Sequence, residues 1–375
     1  MLIESPGPPP DLGPSSGRNL SRERGVQRSP GAVHARSLGQ RSSHLPLNLP
    51  PPMSKLSHLP CADALGMVSL LPSKRLVNKR GERVSMSYAS VFRPDLFSGK
   101  TIVVTGGGSG IGRCTAHELA SLGAHTVLIG RTESKLETVM GEITEDGGQA
   151  SCASLDIRKE DDVKAVVAKI VAERGPIHGL VNNAGGQFPA PLAAINQKGF
   201  ETVVRTNLVG GFLMARECFT QSMNRHTGSI VNIVADMWNG MPMMGHSGAA
   251  RAGMVNFTQT AAVEWANCGV RVNAVAPGWI ASSGMDTYDG SVKAMIPTLK
   301  KSVPLKRLGT EAEVSSVIAF LLSEAAAFIT GTTIRVDGAA PFGGNAFPLF
   351  DHDKSEAYQG FHRAVAPDVL KEEKS

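Results

Sequence analysis

The chain has 375 residues, of which 42% are hydrophobic, and a formal net charge of +5, so it can bury one large core or two smaller ones. No apolar run approaches the roughly 20 residues that span a bilayer, which argues against a membrane-spanning helix. The charge does not indicate a nucleic-acid partner, because twelve basic and five acidic residues precede Met86 and the remainder is slightly acidic.

Residues 1–85 are rich in Pro, Ser and Arg and lack helical or strand periodicity. Such a segment buries too little apolar surface to offset its ordering entropy, so we predict that it is disordered. The composition is also that of an organellar transit peptide, but an amphipathic stretch is missing. We favour the interpretation that the protein starts at Met86 and is cytoplasmic, with organellar import as the alternative.

The first folded elements form a predicted βαβ unit around a glycine-rich turn. A strand over 101–104 leads into Thr105–Gly112, a helix covers 111–122, and a second strand covers 125–129. Glycines let the backbone approach a pyrophosphate, and the helix N-terminus directs amide groups and a positive dipole end at its oxygens. A lone glycine pattern is weak evidence, but this one has the context that its mechanism requires. It predicts a dinucleotide site formed by Gly106, Ser109, Gly110, Ile111 and Gly112.

The tip of the second strand selects the cofactor. An acid there would hydrogen-bond the ribose 2′-hydroxyl of NAD, whereas a cation would bind the 2′-phosphate of NADP. Arg131 can bind a phosphate through two N–H groups, and no carboxylate stands at the acidic position. We therefore predict NADP(H), the alternative being a solvated surface arginine.

Helices and strands alternate through the rest of the chain. The predicted helices cover 132–145, 161–173, 200–223, 247–267 and 311–322, and the predicted strands cover 150–155, 179–181, 229–234, 270–275 and 332–336. This alternation predicts an α/β fold of Rossmann type, a doubly wound parallel sheet with helices on both faces. We expect one domain over 86–345 and a C-terminal extension over 346–375.

The cysteines are scattered without paired or metal-ligand spacing, which predicts a reducing compartment and no metal site. They are Cys61, Cys114, Cys152, Cys218 and Cys268.

From about Gly99 to Gly338 the chain resembles the short-chain dehydrogenase/reductase family. The resemblance rests on the glycine turn, Asp156, the segment 182–185, Asn207 and the segment 277–278, in that order. It implies that Asp156 holds the adenine amino group, that the segment 183–185 borders the adenosine ribose and that Pro277-Gly278 meets the nicotinamide. Beyond the turn and Arg131, the implied cofactor contacts are Asp156, Ile157, Asn183, Ala184, Gly185, Arg251, Pro277, Gly278 and Ile280.

The catalytic positions depart from the family's pattern. Most members carry Tyr-x-x-x-Lys at the start of the helix after the fifth strand, where this chain has Ser247 and Arg251. The family's earlier serine falls at about Val234. Only Asn207 matches, so the candidate catalytic residues are Asn207, Ser247 and Arg251.

These replacements limit proton transfer. Serine is a far weaker acid than a phenol, and arginine does not release its proton. Both side chains still donate hydrogen bonds and could stabilise an enolate as it forms. Conjugate reduction of an unsaturated thioester fits this limit, because charge collects on the thioester oxygen and the α-carbon can take its proton from water.

Several segments also resemble particular branches of the family. Residues 183–188, 246–253, 328–331 and 351–353 are similar to the peroxisomal trans-2-enoyl-CoA reductases of lipid metabolism, with 2,4-dienoyl-CoA reductases as more distant relatives. In those enoyl reductases the proposed acid is a tyrosine further along the helix, where this chain has Val255.

Two further hypotheses stay open. The opening over 86–96 and a methionine-rich region resemble citronellol and citronellal dehydrogenases, which indicates an acyclic terpenoid or medium-chain alcohol or aldehyde as the substrate. Alternatively, the chain is a noncatalytic NADP(H)-binding protein. The methionine-rich region suits an apolar acyl or prenyl chain or an ordinary core, and comprises Met237, Trp238, Met241, Met243 and Met244.

Three other groups are alternative proton donors. Tyr288 lies in the segment 282–290, a loop that covers the substrate in this family, and it could instead serve packing. Asp236 and His246 flank the predicted site, although a carboxylate is normally ionised and the histidine could simply cap or pack near the helix start.

Family members pair through two long helices, here 200–223 and 247–267. The resemblance therefore implies a homodimer or homotetramer.

Overall fold

Seven parallel strands form one sheet in the computed structural model, which describes residues 93–288, 290–343 and 349–371. The strands lie in the order β3-β2-β1-β4-β5-β6-β7, and every neighbouring pair is parallel. They are β1 (Thr101–Thr105), β2 (His125–Gly130), β3 (Gln149–Ser154), β4 (Ile177–Asn182), β5 (Gly228–Ile233), β6 (Val270–Pro277) and β7 (Thr333–Val336). The predicted Rossmann-type α/β fold is confirmed. The predicted leader over 1–85 lies outside the described residues.

Helices connect the strands, most of them at the positions that the alternation predicts, whereas the helix over 290–295 was not predicted. They are α1 (Gly110–Ser121), α2 (Glu133–Glu145), α3 (Glu160–Arg174), α4 (Gln197–Val204), α5 (Gly210–Cys218), α6 (Asn224–His226), α7 (Gly245–Glu264), α8 (Gly290–Met295) and α9 (Glu311–Leu322). Among the described residues, none of these helices combines the length and the apolar character that crossing a membrane requires.

The helix predicted over 200–223 differs from the structure. It begins earlier, at Gln197, and two π-helical turns, Arg205–Val209 and Phe219–Met223, interrupt it on either side of α5. Because a π turn adds a residue to the turn, it re-aims the side chains that follow, and such turns are frequent at functional sites. Asn207 lies buried inside the first of them.

Two apolar clusters cover the two faces of the sheet. One joins the sheet to α1, α2 and α9, and the other joins it to α3, α5 and α7. Val104 belongs to the first cluster and Val103 to the second, as the alternation of side chains along β1 requires. A strand buried on both faces reads as a continuous apolar run, which is why β1 was recognisable in the sequence.

The strand order reverses at β1, which lies between β2 and β4. The connections on its two sides therefore leave toward opposite faces, and a crevice opens at the carboxyl ends of β1 and β4. The glycine turn follows β1, and Asn183 to Gly185 follow β4. The fold thus places the two most informative motifs on either side of one crevice.

The C-terminal segment, residues 349–371, packs back against the helical layer that contains α1 and α2. Phe361 is 7% exposed and joins Cys114 and Ala312 in a small apolar cluster. The Arg113 guanidinium lies 5.0 Å from the Phe361 ring centre. Arg363 binds Asp146 at 2.7 Å, and this ion pair with His362 nearby lowers the pKa of that carboxyl to about 2.

We expect Phe361→Ala to lower the free energy of unfolding by about 3 kcal/mol, because it empties a buried aromatic site. The matched control is Val365→Ala on the same segment, where the side chain is 67% exposed and the change should be within about 0.5 kcal/mol. Urea unfolding measures both. Equal midpoints for the two variants would show that the segment does not stabilise the fold.

Candidate active site

The glycine turn is a backbone surface that side chains would block. Gly106 and Gly110 have φ of +68° and +57°, which favour glycine. A Cβ at Gly106 would lie 2.8 Å from Asn183 Nδ2, and one at Gly112 would collide with the Gly106 carbonyl. The turn is therefore open to close approach by an anion at the N-terminus of α1.

Thr105 and Asn183 fasten the turn to the end of β4. Thr105 Oγ1 accepts hydrogen bonds from the backbone N–H groups of Asn183 at 3.0 Å and Ala184 at 2.9 Å. Asn183 Nδ2 donates to the Thr105 carbonyl at 3.0 Å. Asn183 therefore lies beside the glycine turn, as expected of a crevice residue. The role of Thr105 was missed, and its place at the strand end was the available signal.

The predicted adenosine end brings together Arg131 and Asp156. Arg131 is exposed at the tip of β2, and its carbonyl accepts a bond from Ser154 Oγ. Asp156 is held by Arg158, whose Nη2 donates at 2.6 Å, and this ion pair lowers the pKa of the carboxyl. Arg158 was not among the predicted site residues. Ile157 is buried and packs where a Cβ at Gly210 would sit.

Asn207 and Ser247 meet across the crevice. Asn207 Oδ1 accepts from the Gly186 N–H at 2.9 Å, and its Nδ2 faces Ser247 Oγ at 3.5 Å. Ser247 Oγ in turn donates to Gln187 Oε1 at 2.6 Å. Gln187 was not predicted as a site residue, and only its place directly after the Asn-Ala-Gly segment could have indicated it.

Arg251 is a buried cation one helical turn after Ser247. Its Nη1 donates to the Ile233 carbonyl at 2.5 Å, and Nε has no hydrogen-bond partner among the described residues. No ion pair to Arg251 occurs in the described part of the chain, and burial lowers its pKa to about 10. It stays protonated at neutral pH. A Cβ at Gly185 would lie 2.5 Å from Nη2, so glycine there lets the guanidinium reach the crevice.

The segment after β6 closes the other side of the crevice. The Gly278 N–H donates to the Val336 carbonyl at 2.9 Å, and a Cβ at Gly278 would lie 2.8 Å from Asp337. Ile280 is buried and pairs in parallel with Gly309. Pro277 ends β6, so the predicted nicotinamide contacts occupy one continuous stretch of backbone.

Asp236 and His246 are poorly placed as acids. Asp236 pairs with Arg335 at 3.2 Å; burial raises the pKa of this carboxyl and the nearby cation opposes the increase. His246 is fully buried, Nδ1 accepts from the Ser247 N–H, and burial lowers its pKa, so the ring is neutral. Tyr288 Oη lies 3.2 Å from Gln187 Nε2.

Apolar side chains cover the start of α7. Leu192 packs 2.6 Å from where a Cβ at Gly245 would sit, and Met241 packs in the same way at Gly248. Trp238 and Met243, in the segment before α7, are 44% and 45% exposed. Thus the structure brings apolar surface and a few hydrogen-bond donors to one end of the crevice, which is the usual make-up of a small-molecule site.

A family model described as Enoyl-(Acyl carrier protein) reductase matches residues 106–339. The peroxisomal 2,4-dienoyl-CoA reductase of Danio rerio is 34% identical over 275 residues, which are 71% of this chain and 91% of that protein. A solved structure from Pseudomonas aeruginosa PAO1, described as a citronellol catabolism dehydrogenase, is 66% identical with a TM-score of 0.61. The match covers 68% of this chain and 99% of that one.

One further similar structure contains the cofactor NADPH. The structure of an actinorhodin polyketide ketoreductase with NADPH is 30% identical, has a TM-score of 0.61, and is matched over 64% of this chain and 97% of its own. Together with the sheet order and the crevice residues, the family match leads to one conclusion. The chain belongs to the short-chain dehydrogenase/reductase family of oxidoreductases.

Proposed function

We propose that the chain is an NADP(H)-dependent oxidoreductase that reduces the carbon–carbon double bond of apolar enoyl thioesters in lipid metabolism. The observation that carries the proposal is the pair Ser247 and Arg251 beside Asn207, where the family places a phenol and an amine. Arg251 is a hydrogen-bond donor suited to hold a negative oxygen, and neither of these two side chains is an acid suited to protonate one.

The crevice residues fit a dinucleotide. The glycines of Thr105–Gly112 keep the backbone clear of Cβ atoms at the N-terminus of α1, where a pyrophosphate would bind. Exposed Arg131 has no ion pair within the described residues and is free to bind a 2′-phosphate. Bound NADPH would supply a hydride at the nicotinamide end of the crevice.

The protein side chains would then manage the charge on the substrate. As hydride reaches the β-carbon, negative charge collects on the thioester oxygen. Arg251 keeps its proton because its pKa is about 10, and its buried charge lacks an acidic partner among the described residues. A charge in such a low-dielectric position interacts strongly with a nearby oxyanion. The apolar cover by Leu192 and Met241 would hold the acyl chain and exclude water.

A second candidate is a dehydrogenase of acyclic terpenoid or medium-chain alcohols and aldehydes. The observation in its favour is the 66% identity to the citronellol catabolism dehydrogenase, which exceeds the 34% identity to the dienoyl-CoA reductase. The same apolar cover would suit a prenyl chain. The two candidates differ in which substrate carbon receives the hydride.

We also propose a homo-oligomer, a dimer or a tetramer, and a cytoplasmic location. Support for the oligomer comes from apolar side chains left exposed on the long helices. Phe212 is 38% exposed on α5, and Val263 is 80% exposed on α7. Such side chains are typical of protein interfaces.

The substrate class is tested by following NADPH absorbance at 340 nm with crotonyl-CoA, a longer trans-2-enoyl-CoA and citronellal. We expect turnover with the longer enoyl-CoA to exceed turnover with the other two, since only this substrate combines a conjugated thioester and a long apolar chain. Turnover with citronellal alone would favour the second candidate. NADPH binding without turnover of any substrate would favour the noncatalytic alternative.

Arg131→Ala should weaken NADPH binding at least about tenfold and leave NADH binding almost unchanged, because it removes the cation at the predicted 2′-phosphate site. Arg174→Ala, also an exposed arginine but at the far end of α3, is the control. Fluorescence titration measures both cofactors. Tighter binding of NADH than of NADPH by the unaltered protein would refute the cofactor assignment.

Arg251→Met should lower kcat/KM by about 100-fold, and Ser247→Ala by about tenfold, because only the first removes a fixed charge. Without cofactor, Arg251→Met should not reduce the melting temperature, since a buried cation without an acidic partner opposes folding. Steady-state kinetics and thermal unfolding measure the two effects. Small and equal losses of activity would place the catalytic groups elsewhere.

A further inference from the structure

Tyr288 is linked to the candidate catalytic residue Ser247 through the side-chain amide of Gln187. Its Oη lies 3.2 Å from Gln187 Nε2, and Gln187 Oε1 lies 2.6 Å from Ser247 Oγ. The bond between Gln187 and Tyr288 joins the segment after β4 to the segment after β6 across 101 positions of sequence. A phenol therefore stands near the position from which the usual tyrosine is missing.

The direction of the hydrogen bonds along this chain follows from one backbone group. The Gly186 N–H can only donate, so the Asn207 atom that it contacts is Oδ1, and Nδ2 must face Ser247. Ser247 Oγ accepts a hydrogen bond from that amide and donates its own O–H to Gln187 Oε1. Gln187 Nε2 then donates to the Tyr288 oxygen.

These hydrogen bonds leave the hydroxyl proton of Tyr288 available for transfer, but not that of Ser247. The proton of Ser247 is engaged with Gln187, whereas the phenol of Tyr288 accepts a bond and keeps its own O–H to give. A phenol is a much stronger acid than an aliphatic alcohol. Asp236 is paired with Arg335, and His246 is buried and neutral, so neither competes well for this role.

The loop that carries Tyr288 is anchored through two adjacent residues of its short 3-10 helix, Ser283–Thr287. Met285 is buried, and the carboxylate of Asp286 accepts the backbone N–H groups of Asp368 at 3.1 Å and Val369 at 3.0 Å. The C-terminal segment thus holds the loop in place over the crevice. Tyr288 itself is half-buried, which leaves a route for protons from solvent.

We propose that Tyr288 is a catalytic residue that protonates the substrate and that Gln187 is the residue that positions it. The inference rests on the proposed enoyl-thioester reduction. Hydride adds to the β-carbon, the electron pair of the double bond passes into the enolate, and a new C–H bond forms at the α-carbon with the phenol proton. The phenolate of Tyr288 then takes a proton from water, so that one hydride and one proton are consumed per turnover.

The test compares Tyr288→Phe and Gln187→Leu with the unaltered full chain, using NADPH and trans-2-decenoyl-CoA. We expect Tyr288→Phe to lower kcat about 100-fold while the NADPH dissociation constant stays within twofold. Tyr358→Phe is the control, because this tyrosine lies on the C-terminal segment, where its backbone carbonyl binds Thr310. It should leave kcat unchanged.

The pH dependence of kcat separates a chemical role from a structural one. The alkaline decrease that reports loss of the phenol proton should disappear in Tyr288→Phe. Gln187→Leu should lower kcat and leave the KM for trans-2-decenoyl-CoA within about twofold, because the phenol is still present but is no longer positioned. A packing role for Tyr288 would leave the shape of the pH profile unaltered in Tyr288→Phe, and a packing role for Gln187 would leave kcat unchanged in Gln187→Leu.

Two results would overturn the inference in distinguishable ways. Turnover by Tyr288→Phe within threefold of the unaltered protein, with the same pH profile, would overturn the role of Tyr288 alone. Absence of turnover by the unaltered protein with trans-2-decenoyl-CoA would overturn the proposed function and, with it, the protonation step as written.

Discussion

The structure depends on the close contact between the glycine turn and Asn183 where the strand order reverses. Asn183 leaves no space for a Cβ atom at Gly106 or Gly112. The Thr105 hydroxyl group accepts hydrogen bonds from the segment after β4 and so joins it to the glycine turn. This contact holds the glycine turn against the end of β4, at the crevice that the reversal of the strand order opens.

The opposite side of the crevice contains a buried cation, Arg251. Burying Arg251 without an acidic partner among the described residues is unfavourable, and the lowered pKa of the guanidinium expresses this. A protein keeps such a group where the charge interacts with something that binds or forms there. In the proposed function, this cation stabilises the negative charge that forms on the substrate oxygen.

The sequence allowed prediction of those features that local patterns encode. The apolar run of β1, the glycines after it and the alternation of helices and strands led to the Rossmann-type sheet and to one side of the crevice. Boundaries were less accurate. The π turn at Asn207 adds one residue to a helix that continues on both sides, and the apolar periodicity of the sequence does not distinguish it from an α-helical turn.

Contacts between distant segments could not be predicted in the same way. Arg158 forms an ion pair with Asp156, the residue that the family resemblance assigns to the adenine amino group. The bond between Gln187 and Tyr288 depends on the relative placement of two loops, which periodicity does not describe. The same holds for Phe361, whose burial depends on how the C-terminal segment meets α1.

The most direct test of the account is to follow deuterium from NADPH labelled at C4 of the nicotinamide into trans-2-decenoyl-CoA. Mass spectrometry and NMR of the product identify the carbon that receives it. The account predicts one deuterium on the β-carbon of the saturated thioester. Absence of labelled thioester, together with deuterium on the carbinol carbon of citronellol when citronellal is supplied, would contradict it.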